Sequence, residues 1–348
     1  MQQSTACQCW RTTGNITSLM ATCRFLYRII QPLLFHRIDV DCSNLQRSTT
    51  LINSLEKFPE LYAKIHHLTI RKYTPDPTTR SLPAFFARFH HLHSLSLIES
   101  TISTDIVWCL LQSVQLRSLE LYLPRNWTNA AAKAWTAGSS PFGPPKFTSL
   151  KVTSPSYPQI LPSSLDNNLE GYNSLFVPTL QKIDVVGRLW GVLPLISLNQ
   201  VTILCLELRG WGSVQVFLGR CPNVEQLSVV GLEGAPPFLF STLSRLRSVT
   251  GRLSFVASVS SGRHDIVELG VQASYLMDIF HLGLSDEQPR KLRVDAIWST
   301  EGFQVVCGRF TQLTWLEIRG GNLNYVSVIQ RHSFAPKADS SGKLDASM

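Results

Sequence analysis

The chain has 348 residues, 44% of them hydrophobic and 16% charged, against ~25% charged in an average soluble chain. A sizeable core can be buried, as two ordinary domains or one repeat domain, and no run reaches the ~18 uninterrupted apolar residues that suggest a membrane span. The net charge is +8 and the isoelectric point about 9.2, but the densest basic stretches are pairs such as Arg71-Lys72 and Arg290-Lys291, which disfavours nucleic acid as the main partner.

In chain order, Met1–Trp10 lacks the basic-then-apolar order of a signal peptide. The sequons at Asn15 and Asn126 are therefore read as chance. Ser18–Ile30 reads as a helix, with Ser18 as cap and Leu19, Cys23, Leu26 and Ile30 on one stripe. Gln31-Pro32 ends it, because proline lacks the donor a helix needs and restricts the residue before it. Leu33 to Val40 is an apolar run that turns into a short strand. Asn44 to Lys57 reads as a second amphipathic helix, with Leu51, Leu55 and Phe58 facing inward. Pro59 and a turn over Leu61–Ile65 then deliver the chain to a repeat.

That repeat is L-x-x-L-x-L with aliphatic or Phe substitutes. It occurs at Ile65-Leu68-Ile70, Leu92-Leu95-Leu97, Leu116-Leu119-Leu121, Phe147-Leu150-Val152 and Leu180-Ile183-Val185. It continues at Ile203-Leu206-Leu208, Val224-Leu227-Val229, Ile266-Leu269-Val271 and Leu313-Leu316-Ile318, with weaker copies around Val249 and at Leu292-Val294. Single triplets arise by chance in a chain this apolar. The middle positions 183, 206, 227, 249, 269, 292 and 316, however, step by 23, 21, 22, 20, 23 and 24, inside the ~20–29 window of leucine-rich repeats.

Each L-x-L is then a short strand with its leucines on one face. Neighbours must stack into a parallel sheet to bury them. The return segments Ser213–Arg220 and Tyr275–Leu282 carry apolar residues for the back of the sheet, and 219–223 and 210–212 read as turns. Regular repeats place an Asn three residues after the L-x-L; here Ser100, Pro124, Pro155 and Trp211 stand there. Irregular turns with substitute hydrogen bonds are expected. The longer steps around residue 150 hold Ala137–Lys146 and Thr153–Asn168, rich in Pro, Ser, Gly and Asn, read as surface loops. After Tyr325 the periodicity ends.

A resemblance attaches to the N-terminal residues. The run Leu19-Met20-Ala21-Thr22-Cys23-Arg24-Phe25-Leu26-Tyr27, followed by Gln31-Pro32-Leu33-Leu34-Phe35-His36-Arg37-Ile38, resembles the last third of an F-box. It resembles, in particular, basidiomycete fungal F-box proteins, in which a helix and degenerate leucine-rich repeats follow. Glu56 to Leu61 and Ile65 to Ile70 suit the same order. The Leu-Pro-x-Glu opening of an F-box has no counterpart in Met1–Gly14, so the resemblance is to an N-terminally truncated F-box, and weak adaptor binding or none is expected. It implies that Leu19, Cys23, Phe25, Leu26, Pro32 and Leu33 meet a Skp-type adaptor. It further implies a substrate-recognition subunit of an SCF-type cullin-RING ubiquitin ligase, with a protein substrate, the adaptor and cullin as partners. The alternatives are an adaptor-free scaffold or decoy receptor and, less favoured, a basic nucleic-acid-binding protein.

The fold expected is α/β: a leucine-rich-repeat solenoid, an irregular horseshoe, preceded by a short helical F-box remnant. The divisions are 1–40 for that segment, 41–64 for a helical linker, 65–325 for the repeats and 326–348 for a disordered tail. The scattered cysteines form no C-x-x-C pair and read as reduced thiols of a cytoplasmic or nuclear protein. His67 and His93 are expected to point outward, and His66 and His91 to lie in turns, as surface histidines rather than metal ligands. With no P-loop, G-x-S-x-G or H-E-x-x-H, the reading is a non-enzyme without cofactor or metal and with no membrane partner. The residues flanking the core leucines would form a concave binding face. Its richest positions are Glu120, Tyr122, Glu207, Arg209, Lys291, Arg293, Asp295, Trp315, Glu317 and Arg319, with the C-terminal group favoured because it sets an aromatic anchor among charges.

Overall fold

The computed structural model describes residues 35–74, 88–122, 146–153, 175–187, 196–207, 210–231, 243–282, 289–320 and 327–330, apart from scattered positions inside these ranges, and a few isolated residues between them. The expected helix Ser18–Ile30, the six adaptor-facing residues Leu19, Cys23, Phe25, Leu26, Pro32 and Leu33, and positions 137–145 and 154–168 lie outside the described residues. The chain divides into two compact units, Met1–Gln200 and Val201–Met348.

In the first unit, β1 (Arg37–Asp41), β2 (His67–Arg71), β3 (Ser94–Ile98), β4 (Ser118–Tyr122), β5 (Ser149–Thr153) and β6 (Lys182–Val186) are five-residue strands. They pair in chain order, all parallel and without a slip in register. The second and fourth residues of each strand point inward. Ile38, Leu68, Leu95, Leu119, Leu150 and Ile183 form one buried column, and Val40, Ile70, Leu97, Leu121, Val152 and Val185 the other. Fully burying one such side chain is worth roughly 1.5–3 kcal/mol relative to leaving it exposed, so the columns dominate the energetics of the unit. A third buried column, Ile65, Leu92, Leu116, Phe147 and Leu180, precedes β2 to β6.

The strand starts are tied by a recurring hydrogen bond. The carbonyl of His66 accepts the amides of both His93 and Ser94, that of His93 accepts from Arg117 and Ser118, and that of Arg117 from Thr148 and Ser149. At the far end the residue after the strand turns left-handed, at Lys72 (φ 53°), Glu99 (φ 49°) and Gly187 (φ 96°). That backbone region costs a non-glycine residue, and after β2 and β3 the amides of Lys72 and Glu99 are held by the carbonyls of Ile98 and Tyr122 at the end of the next strand. Ser100, on the position of the missing Asn, is buried. Its hydroxyl accepts from the Tyr73 amide at 3.1 Å and donates to the Ile98 carbonyl at 2.9 Å.

Two expectations for this unit change. The strand expected at the end of the Leu33–Val40 run is β1, and it pairs with β2 in the common register, so the repeating sheet begins at residue 37 rather than 65. Helix α1 (Leu45–Lys57), capped by the Asn44 side chain on the Arg47 amide, buries Ser48, Ile52 and Leu55, while Leu51 is half-buried and Phe58 is 50% exposed. The inward stripe therefore starts on Ser48, whose hydroxyl donates to the Asp41 carbonyl at 2.6 Å.

In the second unit, β7 (Ile203–Glu207), β8 (Gln226–Val230), β9 (Ser248–Arg252), β10 (Glu268–Tyr275), β11 (Lys291–Ile297) and β12 (Trp315–Arg319) repeat the parallel pattern. The return segments include α2 (Trp211–Arg220), α3 (Leu253–Ser260), a 3-10 helix over Leu276–Leu282 and α4 (Thr300–Arg309). Val214, Phe217 and Leu218 of α2 and Leu276, Ile279 and Leu282 of the 3-10 helix are buried, in the segments whose apolar content suits the back of the sheet. Trp211, read as part of a turn, opens α2 instead, with Gly210 as its cap.

The register of β7 is also corrected. Leu204 pairs with Leu227 and Leu206 with Val229, so Leu206 is the second inward residue of its strand and not the first. Val201-Leu204-Leu206 is the true triplet, and the steps become 21 from Ile183 to Leu204 and 23 from Leu204 to Leu227. The run Leu204 to Leu208 alternates leucines three times, and a slip of two residues keeps every side chain on the same face. Beyond β12, Ser327–Gln330, inside the segment read as a tail, forms β13 and pairs antiparallel with β12. A parallel sheet leaves one edge with unused amides and carbonyls, and β13 takes that of β12.

Candidate functional site

On the outer face, the side away from the return segments, stand the first, third and fifth residues of each strand. On β4 to β6 the third residues are Glu120, Lys151 and Asp184. Lys151 meets Glu120 at 3.1 Å, and burial pushes the Asp184 carboxyl up, partly offset by Lys151 and Lys182. Tyr122, at the end of β4, is 42% exposed. Both Glu120 and Tyr122 thus lie on the outer face of the first unit. In the second unit, Glu207 is half-buried at the end of β7 beside Val230, while Arg209 lies outside the described residues.

The remaining six expected residues converge on β11 and β12. Register pairs Lys291 with Trp315, Arg293 with Glu317 and Asp295 with Arg319. The Arg293 guanidinium lies 5.6 Å from the Trp315 ring centroid, and its Nε donates to Glu317 Oε2 at 2.7 Å. Arg319 donates to the other oxygen, Oε1, through Nε. Burial pushes the Glu317 carboxyl up, but the hydrogen bonds and charges of Arg293 and Arg319 outweigh it and hold it below the usual glutamate range.

One expectation fails in detail. The alternation puts Glu317 on the solvent-facing side, and it does stand on the outer side, yet it is only 4% exposed. Two guanidiniums clasp its carboxylate, and their side chains remain 46% and 52% exposed. Arg293 and Arg319 therefore present the surface and Glu317 anchors them.

Beside this cluster is an open polar cleft of 580 Å³, lined by Arg252, Gln272, Asp278 and Asp295 with Leu253, Ser254, Ala273 and Ser274. Arg252, Gln272 and Asp295 are the fifth-position residues of consecutive strands. Gly270, the third residue of β10, leaves space that the Thr250 side chain of β9 fills; a Cβ there would come within 2.5 Å of Thr250 Oγ1. Arg252 and Asp278 were missed in the sequence. β9 carries Gly251 at its second inward position, where the Phe255 ring of α3 would stand 2.6 Å from a Cβ. Without that aliphatic residue the strand reads as a weak copy, and the pattern does not single out its outer residues.

The histidines form a second cluster, at the starts of β1 to β3. His93 takes the pre-strand position together with His36 and His66, not the outward strand position expected for it. The His66 ring lies 4.9 Å from that of His36 and 4.7 Å from that of His93, and His67 lies 4.8 Å from His36. Nδ1 of His66 and Nδ1 of His93 are 2.9 Å apart, so one proton can be shared between them. Among the described residues, no group of three or more His, Cys, Asp or Glu side chains converges as a metal-binding set. Burial pushes the thiol of Cys221 up to about 12 and, with the Asp41 charge, that of Cys42 up to about 11, so both stay protonated near neutral pH. Among the described residues, no helix is long and apolar enough to cross a membrane. A scan of the sequence against protein-family models and a search of curated proteins gave no match.

Proposed function

We propose that the chain is a leucine-rich-repeat protein-interaction module that binds a protein partner on the outer face of β11 and β12. We further propose that it serves as the substrate-recognition subunit of an SCF-type cullin-RING ubiquitin ligase. The observation that carries the first part is the half-buried Trp315 under the Arg293 guanidinium, set among charged side chains that a buried Glu317 holds in place. Aromatic and arginine side chains dominate the energy of protein interfaces, and a rigid pair loses less entropy on binding than a mobile one. The ligase assignment rests on the F-box resemblance of Leu19 to Ile38 alone.

Cross-linking of the full chain to cellular partners, followed by peptide mapping, tests the first part. Cross-links should fall on β11 and β12, and Trp315→Ala should remove most partners while the protein stays folded. Retention of every partner, with loss instead on changing Glu120 and Tyr122, would place recognition on the first unit. Co-expression with a Skp-type adaptor and cullin tests the second part. Partners held without any adaptor binding would leave the adaptor-free scaffold as the reading.

A further inference from the structure

The same cluster also specifies the kind of partner, an inference that rests on the interaction-module reading above. One buried carboxylate, Glu317, answers two guanidiniums, so the trio Arg293, Glu317 and Arg319 keeps one positive charge. Lys291, exposed and in register with Trp315 on one side and Glu268 on the other, adds a further cation at the edge of the cluster. Each glutamate oxygen is occupied by a different arginine. The two guanidiniums are therefore fixed with much of their surface outward, and with N–H groups beyond those spent on Glu317, which are Nε of Arg293 and Nε and Nη2 of Arg319. Fixed guanidinium groups suit planar anions, which they can bind with two parallel hydrogen bonds.

The surroundings narrow the anion. Asp295 stands in register with Arg319, and Asp278 lines the adjacent cleft. A nucleic-acid backbone, with a negative charge on every unit, would run into these carboxylates. An extended peptide would not, because successive side chains point to opposite sides and acidic residues can alternate with neutral ones. The cleft lined by Gln272, Ala273 and Ser274 lies open beside Asp295, and the half-buried Trp315 ring offers an apolar surface next to the arginines.

We propose that the β11–β12 face binds a segment of a partner protein in which acidic residues alternate with aromatic or apolar ones, with carboxylates on Arg293 and Arg319. The probe is a fluorescently labelled random copolymer of glutamate and tyrosine, titrated into the full chain at about 50 mM and about 500 mM salt, where screening lengths differ severalfold. Binding is expected at low salt and should weaken at high salt, with a lysine–tyrosine copolymer silent. Arg293→Ala and Arg319→Ala each leave Glu317 one guanidinium, so both should fold, and each should weaken binding about tenfold as paired charges do at interfaces. Lys182→Ala, the same charge change on the first unit, should leave binding unchanged. If an alanine variant melts early, the glutamine variant at that position replaces it.

No copolymer binding at low salt, or equal losses for Lys182→Ala and the arginine variants, would overturn the proposal. So would a short DNA duplex that binds more tightly through the same arginines. Should it fail while cellular partners still cross-link to β11 and β12, the interaction-module reading survives without acidic specificity. Loss of those cross-links as well would remove both.

Discussion

Ser100 sits where regular repeats carry asparagine, and its hydroxyl serves both an amide and a carbonyl of the turn backbone. Removing it strands buried polar groups, and Ser100→Ala should cost roughly 1–3 kcal/mol, read as a shift in the urea midpoint with unchanged slope. Full stability in that variant would mean water replaces the hydroxyl. Leu206→Ala should cost roughly 2–5 kcal/mol, since Leu206 is 2% exposed. Its burial was legible from the alternation of leucines, but its place in the strand was not, because period-two patterns survive a two-residue slip. The same alternation placed Trp315, Arg293 and Arg319 on one face. What it could not show was the burial of Glu317, which depends on two side chains closing over it from its own and the neighbouring strand. Gly251 and Gly270 were opaque for a related reason. Each is defined by what a Cβ would strike, Phe255 and Thr250 respectively, and those neighbours are known only once the register is.

At the scale of elements, strands were easier to read than the helix between β1 and β2. Two candidate stripes run down α1, one through Leu51, Leu55 and Phe58 and one through Ser48, Ile52 and Leu55. Hydrophobicity favours the first. The structure takes the second: the Ser48 hydroxyl donates to the Asp41 carbonyl at the end of β1, which also accepts the Asn44 amide, so a serine is buried without loss. Phe58, just past the last turn, has its amide held by the Leu55 carbonyl and its side chain half exposed. Paired variants separate the readings. Ile52→Ala should cost roughly 2–5 kcal/mol as a core truncation, and Phe58→Ala at most about 1 kcal/mol, in the range of changes away from the core. The reverse order in chemical denaturation would restore the first stripe. β1 itself was visible as a strand. Its membership in the repeating sheet was hidden because α1 and the 3-10 helix Pro59–Lys64 separate it from β2, a longer return than most later repeats use.

At the scale of the molecule, the two units differ in what they titrate. The first holds the column of His36, His66 and His93 with His67 alongside. Burial, then the charges of His93 and His36, push the His66 value below the ordinary 6.5. Burial, then His36 and Arg37, do the same to His67. The folded state thus favours the neutral rings. Stability from this source is complete above the unfolded value and is lost as pH falls from about 6.5 through the lower folded values, because the unfolded chain binds more protons there. In the second unit the lowered groups are carboxylates, Asp265 held by Arg263 and Glu317 by Arg293 and Arg319, and their contribution is lost only in the more acidic carboxylate range. Between about pH 7.5 and 5.5, hydrogen exchange corrected for intrinsic rates should therefore show β1 to β3 losing protection while β7 to β9 keep theirs. His66→Thr, the residue type found in the same column at Thr148, should flatten the loss. Equal loss in both units, or an unchanged profile in the variant, would mean that the histidine column does not set the acid limit of the first unit.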